Sequence, residues 1–546
     1  MSPHLSPGNK GHVGKKQVPC ERQLIVNWAY PNTLITLANK GTPRIAPLWR
    51  NPGEPMKQLD NIKHIAYLKL GQHRGTRRLW MQGQKLEDAG FEPGSRYRIT
   101  RDPDSNTLNI EITEDGARTV SKKRVGKKEI PVVDINNKVL AEMFNKSVER
   151  VCAVVTDKSI IIAIHPDDEA AAERYGRLIA KLHNNEPLAI GSVSHGGGIM
   201  DNALHQGLAS SGVDARLAYA VEIEHKYLEA SLRNNEVWDE RSISVCAPME
   251  EVDPRLLPKI DIYAGGIPCT GASRSGKAKN KIAHAEEHES AGALFLAFLT
   301  IMKQGNPSVV VLENVPDYRH TQSMTVIRSA LKQLKYQVHE TILDGAEHGA
   351  LEARKRFCMV AVTEGLEFNW ERLRPIRKKE ARLGDVLDAI EDTDGMWRTY
   401  AYLDKKATRD KAAGKGFKQQ LVTPDSTSVG TIGRGYQKGR STEPFLASPT
   451  DPGKKRLLTP KEHARVKTIP EHLVEGLSNT IAHEILGQSV IHSAFVATGI
   501  LIGNTLLDAY DDMDASDASK LTGREVPEIV MEFGEPEKPR KRRAPH

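Results

Sequence analysis

Apolar and polar positions follow two different patterns along this chain. After residue 186, short runs of β-branched and other apolar residues alternate with segments whose apolar positions have helical spacing. Buried strands and amphipathic helices produce these two patterns, so this part is predicted to form an open α/β sheet. The predicted strands are Pro187–Val193, Arg216–Glu222, Ile260–Ala264, Ser308–Leu312, Gln337–Ile342 and Phe357–Val362, and the predicted helices are Ile199–Ala209 and Met324–Leu334.

Residues 61–165 show another pattern, in which a strand, a one-turn helix and a pair of strands occur twice. The first copy includes Arg78–Thr100, and the second begins near Val132 and ends with Ser159–Ile164. Two copies can bury apolar faces that one copy alone cannot, so a pseudo-dimeric, β-rich small barrel is expected. Helical spacing in Asp167–His183 predicts a helix that joins this barrel to the α/β part.

Shifts in composition predict the remaining boundaries. Residues 1–60 are expected to form mostly a flexible arm, 61–165 the β-rich domain, 166–186 a helical linker, 187–362 and 456–507 two parts of one α/β domain, 363–455 a basic, glycine-rich insertion, and 508–546 a charged tail. Stretches as long as 363–455 without a regular pattern indicate either function or disorder.

Composition favours some classes of protein over others. The chain has 546 residues and a formal net charge of +7, which favours a polyanionic partner. Its five cysteines form no C-x-x-C pair, so neither a disulfide framework nor a metal site is predicted. Because no apolar run approaches the ~20 residues of a membrane helix, a cytoplasmic protein without a membrane partner is expected.

Candidate chemistry lies at the carboxyl ends of the predicted strands, where open α/β sheets bind ligands. Ser194–Gly198 is a glycine turn between a strand and a helix, and Glu222 ends the next strand near the spacing at which an acid binds a ribose. These two features alone fit NAD as well as S-adenosylmethionine. Cys269 follows the third predicted strand and Glu313 ends the fourth, so a thiol and a carboxyl group are expected to face one pocket.

The order of these motifs is specific. Pro268-Cys269 followed by Glu313-Asn314-Val315 resembles the cytosine-5 DNA methyltransferase family, and Glu352–Arg356 resembles that family's Gln-x-Arg-x-Arg segment. Arg456–Arg465 and Leu486–Phe495 are similar to its last motifs. The resemblance covers about 187–505 and implies a Rossmann-like S-adenosylmethionine-dependent methyltransferase domain, with residues 363–455 as an inserted target-recognition region.

The resemblance also implies the site residues. The implied catalytic residues are Cys269, Glu313, Arg354 and Arg356. S-Adenosyl-L-methionine would be bound by Ser194, Gly196, Gly197, Gly198, Glu222, Ile223, Pro248, Pro268, Gln488 and Ser489, and double-stranded DNA by Ser273, Arg274, Thr431, Arg434, Lys438 and Arg440. Cys269 would add to C6 of a flipped cytosine, a protonated Glu313 would donate to N3, and methyl transfer to C5 would follow.

A second resemblance concerns the N-terminal part. Leu86–Gly94 resembles the turn of SymE-type and AbrB-type swapped-hairpin domains, which usually bind DNA. A packing or oligomerisation module is the alternative interpretation. The basic segment Lys538–Arg543 in the tail is a candidate electrostatic contact with DNA.

The chain departs from the methyltransferase pattern at several positions, which concern cofactor binding more than the nucleophile. Val193 and His195 replace an aromatic residue and a glycine, Thr270 and Glu352 replace glutamines, Gln488 replaces an asparagine, and Val245–Pro248 lacks an expected aspartate. Gly503-Asn504 looks like the missing Gly-Asn pair but lies too late in its helix.

An active, sequence-specific DNA methyltransferase of bacterial or phage origin is the leading hypothesis. An RNA cytosine-5 methyltransferase of the same fold, and a DNA-binding regulator with a decayed methylase core, are the alternatives. The retained Cys269, Glu313, Arg354 and Arg356 oppose the regulator. The target sequence, the oligomeric state and the presence of a partner restriction endonuclease stay open.

Overall fold

The computed structural model of the chain describes residues 62–102, 107–136, 140, 143–144, 148–268, 293–391, 393–414 and 419–512. The predicted N-terminal arm and most of the charged tail lie outside the described residues. The same holds for Cys269, Thr270, Ser273 and Arg274 of the predicted site.

Antiparallel strands make up the described N-terminal part. They are β1 (His64–Lys69), β2 (Gly71–His73), β3 (Thr76–Gln82), β4 (Arg96–Asp102), β5 (Thr107–Ile112), β6 (Arg118–Thr119), β7 (Ser121–Val125), β8 (Lys128–Ile135), β9 (Arg150–Val155) and β10 (Ser159–Ile164), with the one-turn helix α1 (Gln84–Asp88) after β3. The first predicted copy is therefore β3, α1 and the hairpin β4–β5. The second is β8, the helical residues Leu140 and Met143, and the hairpin β9–β10.

These two copies pair with each other at two places. β3 is antiparallel to β8, with Trp80 opposite Asp134, and β5 is antiparallel to β10, with Ile110 opposite Ile160. Side chains from both copies, among them Leu86 and Leu140, are fully buried in one hydrophobic core. Each copy thus buries its apolar face against the other.

The helix predicted to be a linker is packed firmly on the α/β sheet. In α2 (Pro166–His183), Arg174 is 1% exposed, donates to the Thr363 hydroxyl at 2.7 Å and lies over the ring of Tyr336. Arg177 and Lys181, one turn apart, both pair with the fully buried Asp261 carboxylate. These ion pairs fix the start of the α/β part against the strand that leads to Cys269.

A seven-stranded sheet forms the centre of the α/β part. Its strands are β11 (Leu188–Val193), β12 (Ala215–Glu222), β13 (Ile243–Cys246), β14 (Ile262–Gly266), β15 (Val309–Asn314), β16 (Tyr336–Asp344) and β17 (Lys355–Thr363). Their order is β13-β12-β11-β14-β15-β17-β16, and β17 is antiparallel to both of its neighbours. The helices around it are α3 (Ile199–Ser210), α4 (His225–Asn234), α5 (Leu294–Gly305) and α6 (Gln322–Gln333).

The six strands predicted in this part are confirmed, with ends displaced by up to two residues. Strand β13 and the helices α4 and α5 were not predicted. β13 is short, at four residues, and all four are only partly buried. Its sequence therefore lacks the continuous apolar run that marks the central strands.

After the insertion, the chain returns to the same sheet through α8 (Pro460–Val466), α9 (Asn479–Gln488) and α10 (His492–Asp511). A capping box begins α8, because Thr459 and Glu462 each accept from the other's backbone N–H. α10 packs directly on α3: a Cβ on Gly207 would lie 2.3 Å from the Val496 carbonyl oxygen. This close contact joins the end of the described chain to the glycine turn.

The insertion has a hydrophobic core of its own. It contains α7 (Ala401–Ala412) and the small sheet β18 (Gln420–Val422), β19 (Pro444–Ala447) and β20 (Lys455–Arg456). Its core side chains, such as Trp397, Ile432 and Tyr436, pack together with Leu351 and Val466 of the α/β part. The insertion is therefore built onto the segment that carries the two arginines of the predicted site.

The described residues offer neither a straight membrane helix nor a cluster of metal ligands. No single helix there is long and apolar enough to cross a bilayer, and the one pair that reaches that length together, α9 and α10, is bent by 48°. No group of three or more His, Cys, Asp and Glu side chains with the arrangement of a metal site occurs among the described residues.

Candidate active site

The glycine turn after β11 is shaped by left-handed backbone and by one buried side chain. Ser194, Gly196 and Gly198 have φ values of 52°, 60° and 74°. Left-handed backbone is readily accessible to glycine. A Cβ on Gly198 would lie 2.4 Å from the Asn235 amide and 2.7 Å from the His195 ring. The turn therefore requires glycine at 198, and His195 fills the space beneath it.

His195 is held by partners from three elements. Its Nδ1 lies 2.9 Å from the Asp201 carboxylate of α3 and 3.2 Å from the Ser192 hydroxyl of β11, and its Nε2 lies 2.8 Å from the Ser231 hydroxyl of α4. Trp238 Nε1 also donates to the Ser231 hydroxyl, and Ser192 of β11 donates to Asp201. The residue that replaces a glycine of the expected pattern is thus part of the support for the turn.

Glu222 lies directly against the turn. It is 7% exposed; its carboxylate accepts from the Gly196 N–H at 2.6 Å and from the Glu224 N–H at 2.9 Å. Ile223 beside it is 63% exposed, which is unusual for an apolar side chain at the edge of a buried sheet. An acid, an exposed apolar side chain and an open glycine turn are the groups that a nucleoside requires.

Other predicted cofactor residues converge on this place. A Cβ on Gly196 would have the Gln488 amide as its nearest neighbour, at 3.8 Å, and one on Gly197 would lie 2.5 Å from Ile485 of α9. Pro248 follows Ala247, whose N–H donates to the Glu222 carbonyl. Ser489 ends α9 and donates its hydroxyl to the Leu486 carbonyl. The residues from the two ends of the α/β part therefore meet around the glycine turn.

The second half of the site lies at the ends of β14 and β15. Glu313 pairs with Arg356, with 2.8 Å between the guanidinium Nε and the carboxylate Oε1, and both side chains are 16% exposed. A Cβ on Gly266 at the end of β14 would lie 3.3 Å from Glu313 Oε2. Asn314 donates its amide to the Ile267 carbonyl at 2.9 Å. The carboxyl group is therefore directed toward the start of the Pro-Cys loop.

A protein-family model and several known proteins are similar to this chain. The matching family model is described as C-5 cytosine-specific DNA methylase, and it matches residues 200–499. The chain belongs to this family. The match includes Glu222, Glu313, Arg356 and Gln488, which the fold brings to one edge of the sheet.

Two methylases and one solved structure show how far the similarity extends. Type II methyltransferase M1.ScrFI of Lactococcus lactis subsp. cremoris is 28% identical over 251 residues, which cover 44% of this chain and 61% of that protein. Type II methyltransferase M.NlaX of Neisseria lactamica is 29% identical over 287 residues, covering 51% and 85%. The Entamoeba histolytica methyltransferase EhMeth has a TM-score of 0.46 and 16% identity, covering 60% of this chain and all of that one. The chain thus spans less than two thirds of the first of these methylases.

The two arginines of the predicted site have different environments. Arg354 is 3% exposed and lies 3.4 Å from both the Glu352 carboxylate and the Ile432 carbonyl oxygen, whereas Arg356 contacts Glu313. Lys355 between them pairs with Asp344 instead. Glu352, which stands where the methylase pattern has glutamine, is fully buried and lies 3.2 Å from the equally buried Lys467.

The residues predicted to contact DNA are partly engaged within the protein. The Thr431 hydroxyl donates to the Ala353 carbonyl at 2.6 Å, and Arg434 pairs with Glu224 at 3.1 Å and lies over the ring of Tyr227. Lys438 and Arg440 are exposed. The segment that contains Thr431 and Arg434 therefore lies between the arginine strand and the cofactor pocket wall.

Sequence reasoning missed several residues that build this methylase site. Asn314 holds the start of the Pro-Cys loop, Asp201 and Ser231 hold His195, and Lys467 balances Glu352. Asn314 belongs to the Glu-Asn-Val motif and could have been found from it. Asp201 lies in the helix directly after the turn, whereas Ser231 and Lys467 come from distant elements, and no pattern in the sequence marks any of the three.

Proposed function

We propose that this chain is an S-adenosylmethionine-dependent DNA cytosine-5 methyltransferase that acts on double-stranded DNA. The observation that carries the proposal is the Glu313–Arg356 pair beside the end of β14, where the Pro-Cys loop begins. The match of residues 200–499 to the family model supports the proposal, because that model describes cytosine-specific DNA methylases. No observation favours the RNA enzyme or the decayed regulator.

The methyl donor fits the pocket at the glycine turn. Glu222 would accept from the ribose hydroxyls, Ile223 would cover the adenine, and the turn at Ser194, Gly196, Gly197 and Gly198 would hold the methionine end. Pro248, Pro268, Gln488 and Ser489 would complete the walls. When bound, S-adenosylmethionine supplies the methyl group and leaves as S-adenosylhomocysteine.

The protein residues prepare cytosine to accept that group. The Cys269 thiolate would add to C6, which moves electron density onto C5, while Glu313 donates a proton to N3. Arg356 holds the Glu313 side chain at this position, and Arg354 would contact the base or its phosphate. After C5 is methylated, loss of the C5 proton expels Cys269 and restores the aromatic ring. The target base must leave the duplex for this chemistry, at a cost of a few kcal/mol that DNA contacts offset.

Contacts with DNA are assigned as follows. Ser273 and Arg274 would lie beside the flipped base, and Thr431, Arg434, Lys438 and Arg440 would face the groove or the phosphates. The exposed Lys438 and Arg440 would act without rearrangement. Arg434 would first have to leave Glu224.

We further propose that the N-terminal part is a swapped-hairpin domain that adds a DNA contact. Its four-stranded sheet β2-β3-β8-β7 exposes Trp80, with the Arg78 guanidinium 4.3 Å from the ring centroid. The Lys123 ammonium donates to the side-chain oxygen of Gln82, which lies beside them. The β7–β8 turn brings together Lys122, Lys123, Arg124, Lys127 and Lys128, all exposed. Such a basic face with an aromatic side chain fits a phosphate backbone.

A direct test of methyl transfer is available. The purified chain is incubated with unmethylated plasmid and S-adenosylmethionine, and modified cytosines are mapped by bisulfite sequencing, with Cys269→Ala as the comparison. We expect the wild type, but not Cys269→Ala, to protect cytosines within one short sequence from bisulfite conversion. Absence of any modified cytosine, while the plasmid is still retarded on a gel, would contradict the proposal.

The N-terminal contact needs a separate measurement. Replacing Lys123, Arg124 and Lys127 together by alanine should lower the slope of log K against log salt by up to about 3, because each lost phosphate contact contributes about 0.9. The control replaces the exposed Lys378 and the half-buried Lys379 of the insertion instead. An unchanged slope in the first variant would show that this face does not touch DNA.

A further inference from the structure

A group of buried charges lies behind the arginine strand. Glu352 and Lys467 are both fully buried, with 3.2 Å between the Lys467 ammonium and Glu352 Oε2. Lys467 follows α8 and also donates to the Ser489 carbonyl at 3.1 Å. Glu352 lies just before β17, so the pair joins two segments that are far apart in the sequence.

Glu352 also determines where the insertion attaches. Its Oε1 accepts from the Ile432 N–H at 2.9 Å. On either side of it, the Ala353 N–H donates to the Val429 carbonyl at 2.7 Å, and the Val429 N–H donates to the Leu351 carbonyl. The segment Val429–Ile432 is therefore bonded alongside the residues that lead to Arg354, with one carboxylate oxygen as part of the attachment.

Two cations compete for this carboxylate. Arg354 approaches Glu352 Oε1 to 3.4 Å, whereas Lys467 approaches Oε2 to 3.2 Å. A carboxylate that lost its ammonium partner in this buried place would be satisfied best by drawing the guanidinium closer. Arg354 would then be withdrawn from the edge where Arg356 and Glu313 lie.

We propose that Glu352 and Lys467 are a positioning pair. The Lys467 ammonium neutralises the Glu352 carboxylate, which can then hold the segment Val429–Ile432 without drawing Arg354 away from DNA. This inference rests on the proposed function for the role of Arg354. The attachment of the segment does not depend on it. Neither residue touches the reacting atoms, and both act through the strand and the segment they hold.

The energetics of buried ion pairs make the pair testable. Removing one partner leaves an unpaired buried charge, whereas removing both is often tolerated. Burial, together with the neighbouring Arg354 and Arg356 and against the opposing effect of Glu352, lowers the pKa of Lys467 to about 7. His463 of α8 also faces Lys467, and burial keeps it neutral by lowering its pKa. In a Glu352→Gln variant, which lacks the carboxylate that raises this pKa, Lys467 can therefore lose its proton at a lower pH than in the wild type.

The experiment uses the full chain in four forms: Lys467→Met, Glu352→Gln, the double variant, and Lys461→Met as a matched control. Lys461 is an exposed lysine in the same helix. Hydrogen exchange of the amides of residues 429–433 is measured at pH 6, 7.5 and 9, corrected for intrinsic rates. Methyl transfer to plasmid DNA is measured in parallel and expressed relative to the wild type at the same pH.

At pH 6, where Lys467 is protonated, we expect Lys467→Met to raise exchange at residues 429–433 at least about tenfold and to lower kcat at least about tenfold. Glu352→Gln should show both defects most strongly at pH 6 and lose them by pH 9. The double variant should stay within about threefold of the wild type at pH 6, and Lys461→Met should do so at every pH. At pH 9 the wild-type lysine is neutral, so the wild type itself should approach Lys467→Met.

Two results would overturn the inference. One is a Lys467→Met variant whose exchange matches the wild type at pH 6. The other is a double variant as defective as Lys467→Met, which would mean that Lys467 is needed for itself rather than for Glu352. If the wild type transfers no methyl group, the proposed function fails, and the exchange pattern alone then decides whether the pair positions the segment.

Discussion

The glycine turn and the arginine strand both carry a side chain that departs from the methylase pattern, and the two are accommodated differently. His195 is satisfied by Asp201 of the helix that follows the turn and by Ser231 of α4, which lies beside the turn. Glu352 is balanced by Lys467, which belongs to a helix on the other side of the insertion. A buried polar side chain needs hydrogen-bond partners, and a buried charge needs an opposite charge in contact with it. The residue that supplies that opposite charge can be far away in the sequence.

This difference separates the expected consequences of mutation. Changes at the turn should affect binding of the methyl donor and local stability. Changes at the strand should affect the chemical step and the attachment of the recognition segment. Four changes, taken from the largest expected effect to the smallest, test whether the two regions are separable in this way.

Arg356→Ala should have the largest effect, because it removes the group that holds Glu313 at the end of β15. We expect kcat to fall at least about 100-fold, as for the loss of a preorganised charged contact in other active sites, with little change in KM for S-adenosylmethionine. Lys355→Ala, next to it but paired with Asp344, is the control. A loss of less than threefold in Arg356→Ala would separate this arginine from catalysis.

Lys467 should make stability depend on pH. Its folded-state pKa of about 7 lies below the value of 10.5 expected when unfolded, so the unfolded chain binds more protons between these values. Stability should therefore rise by up to a few kcal/mol as pH increases from about 7 to about 10.5, and the contribution should be constant below that window.

Urea denaturation at several pH values measures this effect. Lys467→Met should show a flatter stability profile across the window, and Lys461→Met should reproduce the wild-type slope. An identical slope in all three proteins would show that Lys467 does not titrate abnormally, and the strand would then be accommodated no differently from the turn.

At the turn, His195→Ala should lower the free energy of unfolding by about 2–3 kcal/mol. The change leaves buried Asp201 and Ser231 groups without the imidazole that satisfies them. The exposed His225 offers a control, since His225→Ala should stay within about 0.5 kcal/mol of the wild type. If His195→Ala is equally stable, the imidazole is not a support of the turn.

Glu222→Gln should have the smallest effect of the four. It weakens the acceptor for ribose hydroxyls, so KM for S-adenosylmethionine should rise about tenfold while kcat changes less than about threefold. Glu229→Gln, an exposed change on α4, should leave both constants unaltered. A fall in kcat without a change in KM would place Glu222 in the chemical step and remove the contrast between the regions.

The sequence predicted the framework of the site well. The apolar runs at Pro187–Val193 and Ser308–Leu312 correctly located strands β11 and β15, whose ends carry the glycine turn and Glu313. Local pattern suffices here because a central parallel strand is buried on both faces. The capping box at Thr459 was predictable for the same reason: both of its residues lie within one helical turn.

The electrostatic part of the site could not be predicted. Nothing in the local sequence of Glu352 indicates that Lys467 will lie beside it, because the two meet only after the insertion has folded between them. Arg434 likewise gave a signal for DNA contact, yet the fold pairs it with Glu224. The roles assigned to Cys269, Ser273 and Arg274 stay predictions, since these residues lie outside the described part.

The central claim is that Cys269 bonds covalently to cytosine C6, and that this bond breaks when C5 loses its proton. Replacing that proton by fluorine in the target cytosine of a duplex removes the leaving group. With S-adenosylmethionine present, the wild-type chain should then remain covalently attached to the duplex, as a species of combined mass in denaturing mass spectrometry, and Cys269→Ala should not. This account would be contradicted if the ordinary duplex is methylated while the fluorinated duplex gives no covalent complex with the protein.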